Sequence, residues 1–574
     1  MHRSPKWSPL AALAATLALV FAACGGTTTS ASPSAEAPAS EAPSAEATEA
    51  APYEGLVYPE SGESACGTDG YTGQMGSIKA IDASTVEFTL CASDAAFLAK
   101  IAFSVFGIQD ADYLETHAAD GSYLDTPNGT GPYRLTEWSK GNRMVFEAFA
   151  DYWGDAPKTP NLELRWSDEA AQRLLELQSG NVDGIDNPGP SDIETILGDS
   201  SLQFAARPGL NTMYLGMNNN LAPWDDVKVR HAIAMGIDRQ RLVDNFYPEG
   251  STVADYFTPC EIDLGCEGDP WYDFDLAAAK TLLADAGFPA FNTTIYFRDV
   301  VRSYLPDPSL VAVELQAQLA DLGITAAIEP QESGAFLENS AAGTLNGIYL
   351  LGWGADYPDP TNFLDVHFNN PANLQFGTID SSITDPLSTG AQTLDTDVRR
   401  AAYEEANNAI REFVPMIPIA HGASGTAWKA DVVGAHSSPL GNEEFGVMDP
   451  GGRSQLVWMQ NAYPLSLYCA DETDGETLRL CEQMTEPLYR YEVAGTAAVP
   501  ALAEVCEGNA EATLWTCTLR SGVRFHDGAH FDANDVVMSY ALQWDLDHAL
   551  HIGRTGAFEY FAGFFAQFLN VPAE

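Results

Sequence analysis

The stretch from Ile348 to Leu364 reads as a strand that is forced to stop. An apolar run rich in Leu and Tyr opens it, which marks a buried strand. Gly352, Gly354, Pro358 and Pro360 then end regular pairing and impose a loop at the strand's end. Trp353 and Asp356 fall where strand becomes loop, a common place for ligand-contacting groups on a rigid scaffold. A carboxylate between two large aromatics, Trp353 and Tyr357, suits capture of a cationic group from which water is partly excluded. A purely structural role stays open, since Asp commonly pins its own turn.

A chain of 574 residues is too long for one core and is expected to form two or more domains. Its net charge of -52, from 80 Asp and Glu against 28 Lys and Arg, repels nucleic acid and anionic lipid and excludes both as partners. At the start, Arg3 and Lys6 precede an apolar run from Leu10 to Ala23, too short to span a bilayer comfortably and ending in small residues before Cys24. Residues 25–52, almost all Thr, Ser, Ala, Pro and Glu, read as an unfolded tether with a reach of about 30 Å. Of nine cysteines, those other than Cys24 fall into near neighbours: Cys66 and Cys91, Cys260 and Cys266, Cys469 and Cys481, Cys506 and Cys517. An even set in an exported chain reads as disulfides; metal spacing is absent, and nearest-neighbour pairing is the expectation although sequence alone leaves the connectivity open.

The body alternates strand and helix signals. Ser84 to Leu90 alternates cleanly as a half-buried strand. Gly129-Thr-Gly-Pro-Tyr133 sets a tight turn without the lysine of a phosphate loop. Ala170 to Asn181 reads as a helix with Leu174, Leu175 and Leu177 inward. Asp225 and Asp226 precede a helix whose apolar face carries Val229, Ile233 and Ile237. Phe274–Gly287, Leu310–Gly323 and Val398–Phe413 are further helices, with strands at Asn211–Met217, Thr325–Ile328 and Pro415–Ala420. Helix, strand and the Trp353 loop together make an α/β unit, in which ligands sit at strand ends. His526, Asp527 and His530 fit a turn between strands better than a metal site.

Several motifs carry a resemblance. Gly352-Trp353-x-x-Asp356 with Pro360 and Phe363, Arg302-Ser-Tyr304-Leu-Pro306, Gly129-Thr-Gly-Pro-Tyr133, Asp151-Tyr-Trp-Gly154 and the Pro223–Arg239 block resemble stretches of the dipeptide- and oligopeptide-binding proteins of ABC importers, the family 5 extracellular solute-binding proteins. The resemblance implies an α/β, two-lobed periplasmic-binding-protein fold of type II in its large three-domain form. It also implies that Asp356 holds a peptide's α-amino group, that Arg302 receives its carboxylate, and that Trp353 and Tyr304 form walls, with Tyr357 beside them. Ala22-Ala23-Cys24-Gly25 resembles a bacterial lipobox, apart from Phe21 where Leu is usual, and implies lipidation at Cys24.

Leu519-Arg-Ser-Gly-Val-Arg-Phe-His-Asp-Gly528 and Pro500-Ala-Leu-Ala503 resemble signatures that ordinary members carry near the N-terminus. Here they come last, so a circular permutation is expected, with a truncated tandem copy as the rival. The organisation so read is a leader at 1–24, a tether at 25–52, and a small domain from 53–128 and 499–574. The first lobe comprises 129–245 and 431–498, and 246–430 forms a second, ligand-binding lobe. The expected function is capture of short peptides by hinge closure and delivery to an ABC permease, by a monomer lipid-anchored outside the cytoplasmic membrane. No cofactor, metal or enzymatic activity is expected. Nickel, oligosaccharide, opine or haem as the solute, or a sensor role without transport, are the alternatives.

Overall fold

The computed structural model describes residues 53–571, so the leader, Cys24 and the tether lie outside the described residues. Three large sheets build the body, with a two-stranded one of Tyr489–Tyr491 and Ala498–Pro500 beside them. A six-stranded sheet runs in the order Thr252–Val253, Met416–His421, Asn211–Gly216, Ile348–Gly354, Phe291–Arg298, Ile324–Gln331. A seven-stranded sheet runs Tyr133–Ser139, Arg143–Ala148, Asn161–Trp166, Gln455–Gln460, Gly184–Asp186, Ser424–Lys429, Leu202–Arg207. A five-stranded sheet joins Val57–Tyr58, Met75–Asp82 and Thr85–Leu90 to Leu514–Leu519 and Ala503–Gly508.

Two lobes follow from how the chain crosses between the first two sheets. It passes from Leu202–Arg207 to Asn211–Gly216 through Pro208-Gly209-Leu210, and returns from Met416–His421 to Ser424–Lys429 through Gly422-Ala423. The crossings lie side by side: a Cβ on Gly209 would sit 2.5 Å from the Gly422 carbonyl oxygen. Two short connections lying side by side and running in opposite directions are what a hinge between rigid bodies requires. The lobe boundary therefore falls at 208–210 and not at 245, because Asn211–Gly216 and the helix Val227–Gly236 pack into the six-stranded lobe. A proline and a glycine at the end of a strand do not reveal on which sheet the next strand will pair.

The third domain is assembled from sequence-distant pieces. Leu514–Leu519 pairs antiparallel with Thr85–Leu90, with Cys517 opposite Val86, and the helix Ala533–Trp544 covers the sheet. Phe88, Phe97, Phe106, Trp515, Tyr540 and Phe565 interlock at ring separations of 5.1–6.4 Å. Each such buried ring contributes about 1.5–3 kcal/mol. The first described residues join the same domain, since the Leu56 amide donates to Asn534 Oδ1 at 2.7 Å.

Local expectations compare closely with the structure. The helices are Ala170–Gln178, Val227–Gly236, Leu276–Asp285, Pro308–Asp321 and Thr396–Phe413. Asp226 caps the second by accepting from the Lys228 amide at 2.8 Å. Leu175 is the exception: it faces solvent while Leu174 and Leu177 are buried, because adjacent helical positions lie about 100° apart and cannot share a narrow face. All four cysteine pairs are disulfide-bonded as neighbours. His526, Asp527 and Gly528 make a turn, with the His526 ring against the Gly131 carbonyl at 3.0 Å and Gly528 at φ 97°.

Candidate functional site

Ile348–Gly354 and Phe291–Arg298 run parallel, with Ile295 opposite Ile348, so their carboxyl ends reach the same edge of the sheet. Ligands of open α/β sheets sit at such ends. The loop that follows Gly354 is built by its own side chains. Asp359 accepts from the Thr361 amide at 3.0 Å and starts the helix Pro360–Leu364, while Arg399 holds its carboxylate at 2.8 Å. Asn362, buried in that helix, reaches back. Its Oδ1 accepts from Trp353 Nε1 at 3.2 Å and from the Asp356 amide at 3.0 Å, and its Nδ2 donates to Asp356 Oδ2 at 3.3 Å. One side chain thereby orients the indole and the carboxylate together. Sequence reasoning passed over Asn362; a polar residue just inside a proline-started helix, beside a suspected ligand loop, is the signal that points to it.

Asp356 and Trp353 line a cavity of about 630 Å³ with Tyr304, Arg298, Tyr214 and His367. Gly352 admits the Tyr304 ring, which lies where a Cβ at Gly352 would come within 2.3 Å. Burial raises the Asp356 carboxyl above its ordinary range, opposed by the Asn362 hydrogen bond. No cation pairs with it among the described residues. Burial lowers His367 to about 4, so its ring is neutral at pH 7, with Nδ1 on the Phe363 carbonyl at 2.7 Å and Trp353 edge-on at 5.1 Å. Across the cleft, burial and then the charge of Asp356 push the phenol of Tyr560, on the third domain, upward.

Arg302 lines an adjoining cavity, also about 630 Å³, that meets the first at Gly354. Its side chain is exposed and Nη1 donates to the Val301 carbonyl at 3.0 Å. The turn that carries it abuts the hinge, since a Cβ on Gly422 would lie 2.0 Å from the Ser303 carbonyl oxygen. The other lobe supplies Asn461 to this cavity, and its Oδ1 has no hydrogen-bond partner among the described residues. Asp356 and Arg302 thus face neighbouring compartments of one cleft. Tyr357, expected beside the ligand, does not line either compartment. It turns into the third domain's core, edge-on to Phe564 at 5.0 Å, with Thr361 Oγ1 donating to its hydroxyl at 3.3 Å.

Comparison with known proteins matches this architecture. The family model "Bacterial extracellular solute-binding proteins, family 5 Middle" matches residues 39–375 and 497–558, more than half of the chain. The Dipeptide-binding protein of Escherichia coli (strain K12) is 29% identical over 377 residues, 64% of this chain and 70% of the relative. Heme-binding protein A of Haemophilus influenzae is 29% identical over 376 residues, 64% of this chain and 69% of the relative. Among solved structures, HbpA2 from Haemophilus parasuis superposes with a TM-score of 0.60 at 30% identity, covering 64% of this chain and 74% of that one. DppA from Helicobacter pylori in complex with peptide STSA superposes with a TM-score of 0.50 at 26% identity, covering 63% and 72%. With a two-lobed α/β body, a cleft at the crossings between the lobes and a family model spanning most of the described residues, this chain belongs to the bacterial extracellular solute-binding proteins of family 5.

Proposed function

We propose that the protein captures short peptides in the cleft between its lobes and presents them to an ABC importer permease. Asp356 carries this reading. It is a partly desolvated carboxylate at a strand end, steered by Asn362, raised by burial and without a paired cation among the described residues. Such a group is costly to keep unless something positive arrives, and a peptide ammonium supplies both charge and donors. Arg302 then takes the free carboxylate, Trp353 and Tyr304 bound the space, and closure about 208–210 and 422–423 removes water from both charges. Relatives named for dipeptides and di/tripeptides support this solute, beside one of equal identity named for haem.

Truncating one partner of a desolvated charge pair costs about 2–5 kcal/mol, which is about 30- to several-thousand-fold in affinity. Calorimetry with an unblocked dipeptide should therefore show near loss of binding in Asp356→Ala, and the N-acetylated peptide should bind the unaltered protein equally poorly. Equal affinity of acetylated and free peptide removes the anchor. Native mass spectrometry of protein purified from its host would identify a different solute directly.

The same proposal reads the chain as a binding protein and not an enzyme, as a monomer, and as tethered by a lipid on Cys24. Steady hydrolysis of a bound peptide, or a mature mass without the acyl group, would count against those parts. It also reads the segment order as circularly permuted. Support comes from Leu514–Leu519 completing the sheet begun by Thr85–Leu90. Asp545 adds to it, accepting from Asn570 at 2.8 Å and also from Tyr58, which brings both ends of the described body to one residue.

A further inference from the structure

We propose that Arg298 receives a second carboxylate and that the preferred solute carries an acidic side chain on its amino-terminal residue. This rests on the reading of Asp356 as the ammonium anchor. Arg298 closes the strand Phe291–Arg298, one strand over from the Asp356 loop, and lines the same cavity. Its Nη1 donates to Ser333 Oγ at 3.1 Å and its Nη2 to Tyr304 Oη at 3.1 Å. Both acceptors are neutral hydroxyls. Among the described residues no carboxylate pairs with it.

That arrangement is unlike the other inward-turned arginines. Arg207, Arg399 and Arg479 end on carboxylates, and Arg173 and Arg230 end on backbone carbonyls. In a chain with 80 acidic and 28 basic residues, a cavity guanidinium to which no carboxylate is paired among the described residues, Asp356 of the same cavity included, is a receiver for charge from outside. Hydroxyls position the fork without neutralising it, which leaves its attraction for a carboxylate intact.

The geometry assigns the source of that carboxylate. Arg302 occupies the adjoining compartment beyond Gly354, where the far end of a peptide anchored at Asp356 would arrive. Arg298 stays in the compartment of the ammonium, which is where the first residue's side chain must lie. Trp353 and neutral His367 line the same cavity, and Arg298 is the one cation among its lining residues.

Titration calorimetry on the full-length, ligand-stripped protein tests the assignment with Asp-Ala against Asn-Ala, and Ala-Asp against Ala-Asn. The expected result is at least about tenfold tighter binding of Asp-Ala than Asn-Ala, with no such preference in the second pair. Arg298→Met should abolish the preference by weakening Asp-Ala at least about tenfold more than Asn-Ala, and Arg298→Lys should keep part of it. Equal affinity for Asp-Ala and Asn-Ala overturns the proposal while leaving the peptide reading intact. Equal weakening of both by Arg298→Met also overturns it, since Arg298 would then hold the main-chain carboxylate. No binding of any of the four peptides overturns the peptide reading itself. The Asp/Asn comparison uses the unaltered protein, so a variant that fails to fold does not suspend the test.

Discussion

At the scale of single residues, Asp356 is a carboxyl whose charged form burial disfavours. Its carboxyl is raised by burial, so the stability it contributes is complete below the ordinary carboxylate pKa and is lost as pH rises through the raised value. Asp356→Asn keeps an acceptor for Asn362 Nδ2 and removes the charge. The ligand-free variant is therefore expected to melt at the same or a higher temperature than the parent at pH 7.5. The two curves should converge on acidification, where the parent's carboxyl is protonated. A lower melting temperature across the whole pH range would mean that Asp356 is a structural pin, the alternative its loop position leaves open in the sequence. The strand, the glycine–proline stop and the placement of Trp353 and Asp356 were all legible there, because each depends on neighbours a few residues away. Asn362 was not, since its role lies in three hydrogen bonds that exist only once the short helix has turned back on the strand.

Among elements, the seven-stranded lobe is tied together by a closed charge network. Arg207, at the end of the strand entering the hinge, contacts Asp186 at 2.9 Å and Glu443 at 2.6 Å. Arg479, on the helix Gly475–Met484, contacts the same two carboxylates at 2.7 and 2.6 Å. Burial alone would raise Glu443, but the two guanidinium groups outweigh it and hold the carboxyl at about 2. Removing one partner of a buried pair leaves uncompensated charge, so Glu443→Ala is expected to lose about 3–5 kcal/mol in urea unfolding. Because the folded value is depressed, the stabilisation is present above pH 4.5 and is lost as pH falls toward about 2. The parent should weaken over that window and the variant should weaken less. A parallel acid profile in both would show that other carboxylates dominate.

Over the whole molecule, the order of segments and the order in space part company. The five-stranded sheet needs both Thr85–Leu90 and Leu514–Leu519. If the order is permuted, joining residue 571 to residue 53 through a short Gly/Ser linker and opening the chain near residue 452 should give the same fold. A melting temperature within a few degrees of the parent, with unchanged peptide affinity, is the expected outcome of that rearranged gene. Failure to form the third domain, seen as loss of the aromatic near-ultraviolet dichroism of its core, would show that the present order is required.

The sequence by itself determined the local grammar of this protein: which runs are strands or helices, where caps and turns fall, which cysteines are near enough to pair, and that a carboxylate beside an indole closes a strand. It also carried motifs enough to indicate the family. Only the tertiary structure decided that the lobes part at 208–210, that Tyr357 belongs to a neighbouring core, and that Arg298 shares the cavity of Asp356 while Arg302 looks into the next one. Capping, turn formation and periodicity act over a few residues and can be read in one dimension. Strand pairing, hinge position and the meeting of charges depend on packing between segments hundreds of residues apart, which no local pattern encodes.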